Sequence, residues 1–227
     1  MTLFFDKSIS ETTEQFFFNK EESKHLAKVI RKKVGDSITV TNGNGLEWIG
    51  KLSVVSTLKS VAERKQTHLH LPKATQIHLA IAPTKNNNRM EWLVEKLTEL
   101  GIHSIHPILC QRSERKVIKK ERFEKIAISA LKQSQQFFLP QIDDLIPFTT
   151  FIKNIRGSAA IAHCENTPKT LLSSRTVPEP SITILIGPEG DFSPEEIDLA
   201  QRSNIESVSL GKQRFRTETA GLFACHT

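Results

Sequence analysis

The 227-residue chain has no tyrosine, and only two tryptophans, two methionines and three cysteines. Without tyrosine, no phenolic hydroxyl is available as an acid, base or nucleophile. Cys110, Cys164 and Cys225 are odd in number and far apart, which excludes a disulfide framework and fits a reducing cytoplasm. Met1 to Lys7 lacks a basic stretch followed by an apolar one, so no signal peptide is expected. Long apolar runs are also missing; none approaches the roughly 18 residues of a membrane helix. Nor is charge of one sign in large excess. The 31 Lys+Arg against 25 Asp+Glu give +6, and residues 1–72 hold 11 and 8 of them, so each part carries +3. That balance excludes a basic tail while admitting an acidic partner such as nucleic acid. The expectation is a cytoplasmic, water-soluble protein with no membrane association.

What is present falls into two rhythms. Residues 1–72 read as short strands with one helix, the pattern of a small β-barrel. Gln15 to Phe18 is strand-like, Asn19 and Glu22 have capping-box spacing, and the helix after them places Leu26, Val29 and Ile30 on one side. Ser37 to Thr41 and Leu46 to Val55 alternate on either side of Asn42-Gly43-Asn44-Gly45. From residue 73 to 227, strands alternate with helices, as in an α/β domain with a parallel sheet. Ile77 to Ala82, Ile102 to Leu109, Ala159 to Ala162, Thr183 to Ile186 and Ser207 to Leu210 are the strands, with Pro107 expected to interrupt or end the second. Helices are expected over Met90 to Leu100 with Gly101 as cap, over Phe123 to Leu131, from Ser193-Pro194-Glu195-Glu196, and from Thr217.

Two segments stand out for chemistry. Leu185-Ile186-Gly187-Pro188-Glu189-Gly190 and Leu210-Gly211 through Arg216-Thr217-Glu218-Thr219-Ala220 each follow a buried strand and lead into a helix. In an open parallel sheet, ligands bind beyond the carboxyl ends of the strands, and glycine lets backbone groups approach a flat ligand. Other motifs fail. Trp48 stands where the third glycine of a dinucleotide fingerprint belongs, and no Walker, Gly-x-Ser-x-Gly or His-Glu-x-x-His sequence occurs. His68 with His70, and His103 with His106, lack a cysteine pair, so no metal is expected. Cys164 beside His163 reads as a buried cysteine.

At these residues the chain resembles the RsmE family, the 16S rRNA (uracil-N3)-methyltransferases of the SPOUT superfamily. Lys85 with Arg89-Met90-Glu91-Trp92, Glu99-Leu100-Gly101, Gln133-Ser134 with Pro140, and His25-Leu26 with Val29-Ile30-Arg31 match it too. It departs from the family's common pattern at Lys132, Gln136 and Asn86-Asn87, and Leu3-Phe4-Phe5 lacks a preceding arginine. The resemblance implies a PUA-like RNA-binding β-barrel over 1–72, a trefoil-knotted SPOUT methyltransferase domain over 73–227, a homodimer, and S-adenosylmethionine as cofactor. In that superfamily the last helix helps complete knot and dimer. The chain ends at Thr227, a short way into it, and a few further residues are expected.

Carried onto this sequence, Ile186, Gly187, Glu189, Gly190, Leu210, Gly211, Arg216, Thr217, Thr219 and Ala220 would hold the methyl donor, with Ile186 and Leu210 walling its adenine. Uracil N3 lies between two carbonyls and loses a proton as the methyl arrives, so charge builds on both oxygens. A guanidinium, Arg216 or Arg89, suits that charge; an ion pair or phosphate contact is the other reading of each. Lys24, Lys28, Arg31 and Lys32, with Arg112, Arg115 and Lys116, are the candidate RNA contacts within small-subunit 16S rRNA. The run from Arg112 to Lys125 reads equally as a solvated face. Of Phe16, Phe17 and Phe18, one or two face outward and could stack on a base. Methylation of a ribose 2′-oxygen, or a ribosome-assembly role without catalysis, are the alternatives.

Overall fold

In the computed structural model, which describes residues 2–175 and 180–226, the alternating stretches of the N-terminal part pair into a five-stranded mixed sheet. Its strands are β1 (Leu3–Phe5), β2 (Gln15–Phe17), β3 (Ser37–Thr41), β4 (Leu46–Val54) and β5 (Val61–Leu69), in the order β1-β3-β4-β5-β2. Only β1 and β3 run parallel. One face buries Phe4, Phe18, Ile38, Val40, Trp48, Leu52 and Ala62, and the Trp48 indole donates to the Thr13 carbonyl at 2.8 Å. Phe16 packs on Phe18 and Trp48, which leaves Phe17, 54% exposed, as the one aromatic of the three turned outward.

Helix α1 (Lys20–Lys24) starts at Asn19, whose side chain accepts from the Glu22 amide at 2.8 Å. It continues into a π-helical turn, His25–Val29. Here the expected apolar side is corrected: Leu26 is buried, but Val29 is 68% exposed. The Ile30 amide reaches back five residues to His25 at 3.0 Å. This wider turn keeps residue i+4 over Leu26 and swings i+3 away from the core.

The chain divides into two compact units, Met1–Pro72 with Leu131–Leu139, and Lys73–Ala130 with Pro140–Thr227. The expected domains ran 1–72 and 73–227; the segment 131–139 joins the first unit because its backbone pairs there. Gly45 N donates to Phe137 O at 2.9 Å and Leu139 N to Gly43 O at 2.8 Å. Lys132, a departure from the family pattern, meets Glu22 at 2.7 Å in the same unit.

The second unit is a parallel sheet. Its elements are β6 (Gln76–Ile81), α2 (Asn87–Leu100), β7 (Ser104–Leu109), α3 (Lys120–Ser134, whose residues from Leu131 belong to the first unit), β8 (Gln141–Ile142), β9 (Ile146–Pro147), α4 (Phe148–Asn154), β10 (Ser158–Ala162), β11 (Thr170–Leu171), β12 (Ser181–Ile186), α5 (Pro194–Arg202), β13 (Glu206–Ser209) and α6 (Thr217–His226). The strand order is β11-β13-β10-β12-β6-β7-β8, with β9 also beside β7. Helix α2 is capped at both ends, Asn86 accepting from Asn88 N and Gly101 adopting the left-handed conformation. The capping box of α5 forms in full.

Pro107 does not end β7, which runs on to Leu109. Ile105 O accepts from Asp143 N beside β8, so Pro107, two residues on, points the same way. There it falls between the pairings with β8 and β9, where no ladder amide is required. The short α4 was not predicted; it buries Phe148, Phe151 and Ile152 against Ile108 and Phe192.

Candidate functional site

Parallel pairing aligns the carboxyl ends of β10, β12 and β13: Ala162 lies opposite Ile186 on one side and Val208 on the other. The two glycine-containing loops therefore emerge on either side of the β10 terminus. Between them is a cleft of about 800 Å³, within the usual range for a nucleoside-sized ligand.

The first loop is a tight turn closed by Asp191 N on Pro188 O at 2.9 Å. Its approach over Gly187 is close: a Cβ there would lie 3.0 Å from Phe192 N. Asp191 holds the turn with both carboxylate oxygens, taking Phe192 N at 2.8 Å and Cys164 N at 2.7 Å. Glu189 accepts from Lys85 N at 2.9 Å, binding the loop to the segment before α2. In the second loop Gly211 has φ +125°, a conformation other residues rarely adopt. Ser209 Oγ accepts from its amide at 3.2 Å.

Eight of the ten predicted cofactor residues line the cleft: Ile186, Gly187, Glu189, Leu210, Gly211, Arg216, Thr217 and Ala220. Gly190 and Thr219 do not. The Gly190 carbonyl takes the Arg112 guanidinium at 3.0 Å, and Thr219 is exposed on α6. The two candidate catalytic arginines also part. Arg216 is exposed at the cleft, whereas Arg89 is absent from its lining and lies 3.6 Å from the buried carboxylate of Glu218.

Sequence reasoning missed the wall between the loops. His163, Cys164, Lys169 and Asp191 line the cleft. Cys164, expected to be buried, is exposed; the buried thiols are Cys110 and Cys225, the latter pushed up to about 12 by desolvation. No pattern marks His163 or Asp191, because their place depends on β10 inserting between β12 and β13.

Among the candidate RNA contacts, Lys24, Lys28, Arg31 and Lys116 are exposed. Lys32 donates to Ser37 O at 3.2 Å. Arg112 also reaches Phe192 O at 3.2 Å, and Arg115 binds the Thr84 and Lys85 carbonyls. Arg112 thus braces the first glycine loop, and Arg115 the segment before α2 to which Glu189 ties that loop. Further along the run, Lys120 pairs with Asp144 and Arg122 with Glu91. Among the described residues, no cluster of three His, Cys, Asp or Glu is arranged to hold a metal, and no helix is long and apolar enough to cross a membrane.

A parallel sheet with two glycine loops around a cleft at its strand ends is the architecture of an enzyme for a nucleotide-like ligand. Family models agree: residues 71–227 match the RNA methyltransferase domain and residues 18–62 the RNA methyltransferase PUA domain. The chain belongs to the ribosomal RNA small subunit methyltransferase E (RsmE) family. A protein of that name from Buchnera aphidicola is 30% identical over 92% of this chain and 86% of its own length. A probable rRNA-methyltransferase from Porphyromonas gingivalis superposes with a TM-score of 0.92 at 36% identity, covering 100% of this chain and 96% of that one. The Neisseria gonorrhoeae RsmE structure, bound to S-adenosyl methionine, gives 0.89 at 25% identity, covering 100% and 95%.

Proposed function

We propose that this chain transfers a methyl group from S-adenosylmethionine to N3 of a uridine in 16S rRNA. The observation that carries the reading is the single cleft formed by both glycine loops, with Arg216 exposed at its lining. The residues present fit the donor. The cleft's volume suits a nucleoside, Gly187 lets the first loop turn tightly at its wall, and Lys169, Lys212 and Arg214 offer charge for a carboxylate. Bound there, the sulfonium supplies an activated methyl and its own leaving group.

The protein's part is alignment and charge complementarity. Arg216 faces the uracil oxygens and stabilises the charge that builds on them as N3 loses its proton to a solvent base. Arg89 neutralises Glu218 and ties α2 to α6. The backbone-bound Arg112 and Arg115 hold the first loop and the segment before α2 in shape, while Lys24, Lys28 and Arg31 contact phosphate from a PUA-like domain. Gly190 and Thr219 act through the loop and helix that carry their neighbours.

The same reading includes a cytoplasmic homodimer with the family's trefoil knot. Trp92 on α2 and Phe223 on α6 are 41% and 42% exposed. The two helices run side by side in the same direction, Arg89 meeting Glu218 and Leu93 meeting Gly221 about one turn further on. A second copy packs on this pair of helices and covers Trp92 and Phe223. Incubation with labelled donor and unmodified small subunits, followed by mass mapping, tests the activity. N3-methyluridine supports it, whereas a 2′-O-methyl product, or donor binding without transfer, overturns it.

A further inference from the structure

His163 is the first residue beyond β10, at the floor of the cleft between the two loops. It is only 7% exposed, and neither ring nitrogen has a hydrogen-bond partner among the described residues. Its backbone, by contrast, is tied down on both sides. Lys169 Nζ donates to the His163 carbonyl at 2.8 Å, and Asp191 takes the next amide, Cys164 N, at 2.7 Å. Buried polar atoms left unpaired are rare and destabilising, and they call for a ligand or a water to satisfy them. Here both nitrogens are also closed off from solvent. A group entering the cleft, with a small turn of the ring, can satisfy them.

Charge narrows the identity of that group. Burial and the neighbouring Lys169 lower the His163 pKa, outweighing Asp191 and Glu165, so the ring is neutral near pH 7. A neutral imidazole offers one donor and one acceptor. It therefore complements a partner that carries both, and it does not repel a cationic sulfonium.

We propose that His163 is a positioning residue that hydrogen-bonds the nucleoside moiety of the methyl donor from the floor of the cleft. The inference rests on the proposed S-adenosylmethionine-dependent function and deepens it. A nucleoside presents donors and acceptors on its ribose hydroxyls and purine edge. The target uridine is a nucleoside too, but the place of His163 between the glycine loops assigns it to the donor.

Calorimetric titration with S-adenosylhomocysteine tests this on the full chain, together with His163→Phe, which keeps a flat ring but no nitrogen, and His163→Asn, which keeps a donor and an acceptor. The expected result is about tenfold or greater loss of affinity in H163F and only a few-fold loss in H163N. The ligand-free melting temperature of H163F should be no lower than that of the parent, since no hydrogen bond is removed. In the parent protein, the ¹⁵N shifts of the His163 ring should move on adding S-adenosylhomocysteine and stay put with uridine monophosphate, a readout that survives if a variant fails to fold. Unchanged affinity in H163F, or ring shifts that move only with the uridine nucleotide, overturns the inference and leaves the function standing. A parent protein that does not bind S-adenosylhomocysteine overturns the function and the inference together.

Discussion

The amide of Cys164 donates to the carboxylate of Asp191 at 2.7 Å, joining the end of β10 to the turn after β12. Asp191 sits at φ +63°, a left-handed conformation that asparagine and aspartate tolerate better than most residues. Asp191→Asn should therefore keep both the turn and one acceptor, whereas Asp191→Ala should lose both. The alanine variant is expected to be about 1–3 kcal/mol less stable in urea denaturation and to bind S-adenosylhomocysteine more weakly. Equal behaviour of the two variants would count against this account of the turn.

Gly187→Ala probes the cleft more directly. The added Cβ would meet Phe192 N at 3.0 Å and its ring at 3.1 Å, so the turn has to give by a few tenths of an ångström at the cleft wall. Donor affinity should fall about tenfold or more, while circular dichroism stays native. Parent-like affinity would mean that the close approach at Gly187 has no bearing on binding.

The two arginines should give opposite phenotypes. Arg216→Ala is expected to lower kcat by about 10² or more with little change in donor affinity, the signature of a contact made in the transition state. Arg89→Ala should mainly cost stability, about 1–2 kcal/mol, because Glu218 stays buried without its cation. The Arg89→Ala, Glu218→Gln double variant should recover much of that loss. A kcat collapse in R89A with unchanged stability would reverse the assignment.

Acid stability follows from a polar chain beside β6 and β7. His78 contacts Ser104 Oγ at 2.6 Å, Ser104 contacts His106 at 2.6 Å, and His106 meets Asp143 at 2.7 Å. Burial, then repulsion from His103 and His106, lowers the His78 pKa to about 4. Between the unfolded value near 6.5 and that value, the unfolded chain binds a proton that the folded chain does not. Stability is thus complete above about pH 6.5 and declines as pH falls toward 4. Melting curves across that range should show the slope, and His78→Gln should flatten it.

Salt dependence reports on the first unit. Reversing charge at Lys28 and Arg31, both exposed, should weaken RNA binding and reduce the slope of log K against log salt by about one or two. An unchanged slope would remove these residues from the RNA surface.

Features governed by near neighbours are legible in the sequence alone. The capping box of Ser193 and Glu196, the left-handed cap at Gly101, the Asn19 cap and the strand cores all depend on residues a few positions apart. The glycine loops were legible for the same reason, as a strand, a turn and a helix start in succession. The π-turn at His25–Val29 escaped because an ideal helical period placed Val29 inward.

The amino-acid sequence by itself determined the two rhythms, several helix ends and the family, and it pointed to eight of the residues that line the cleft. Only the tertiary structure decided that β10 lies between β12 and β13, bringing His163 to the floor and Asp191 to its support. It also decided that Arg89 faces Glu218 and that Arg112 and Arg115 bind backbone carbonyls. Parallel pairing and long-range side-chain bonds join residues far apart in the chain, and the local periodicity of either partner carries no mark of the other.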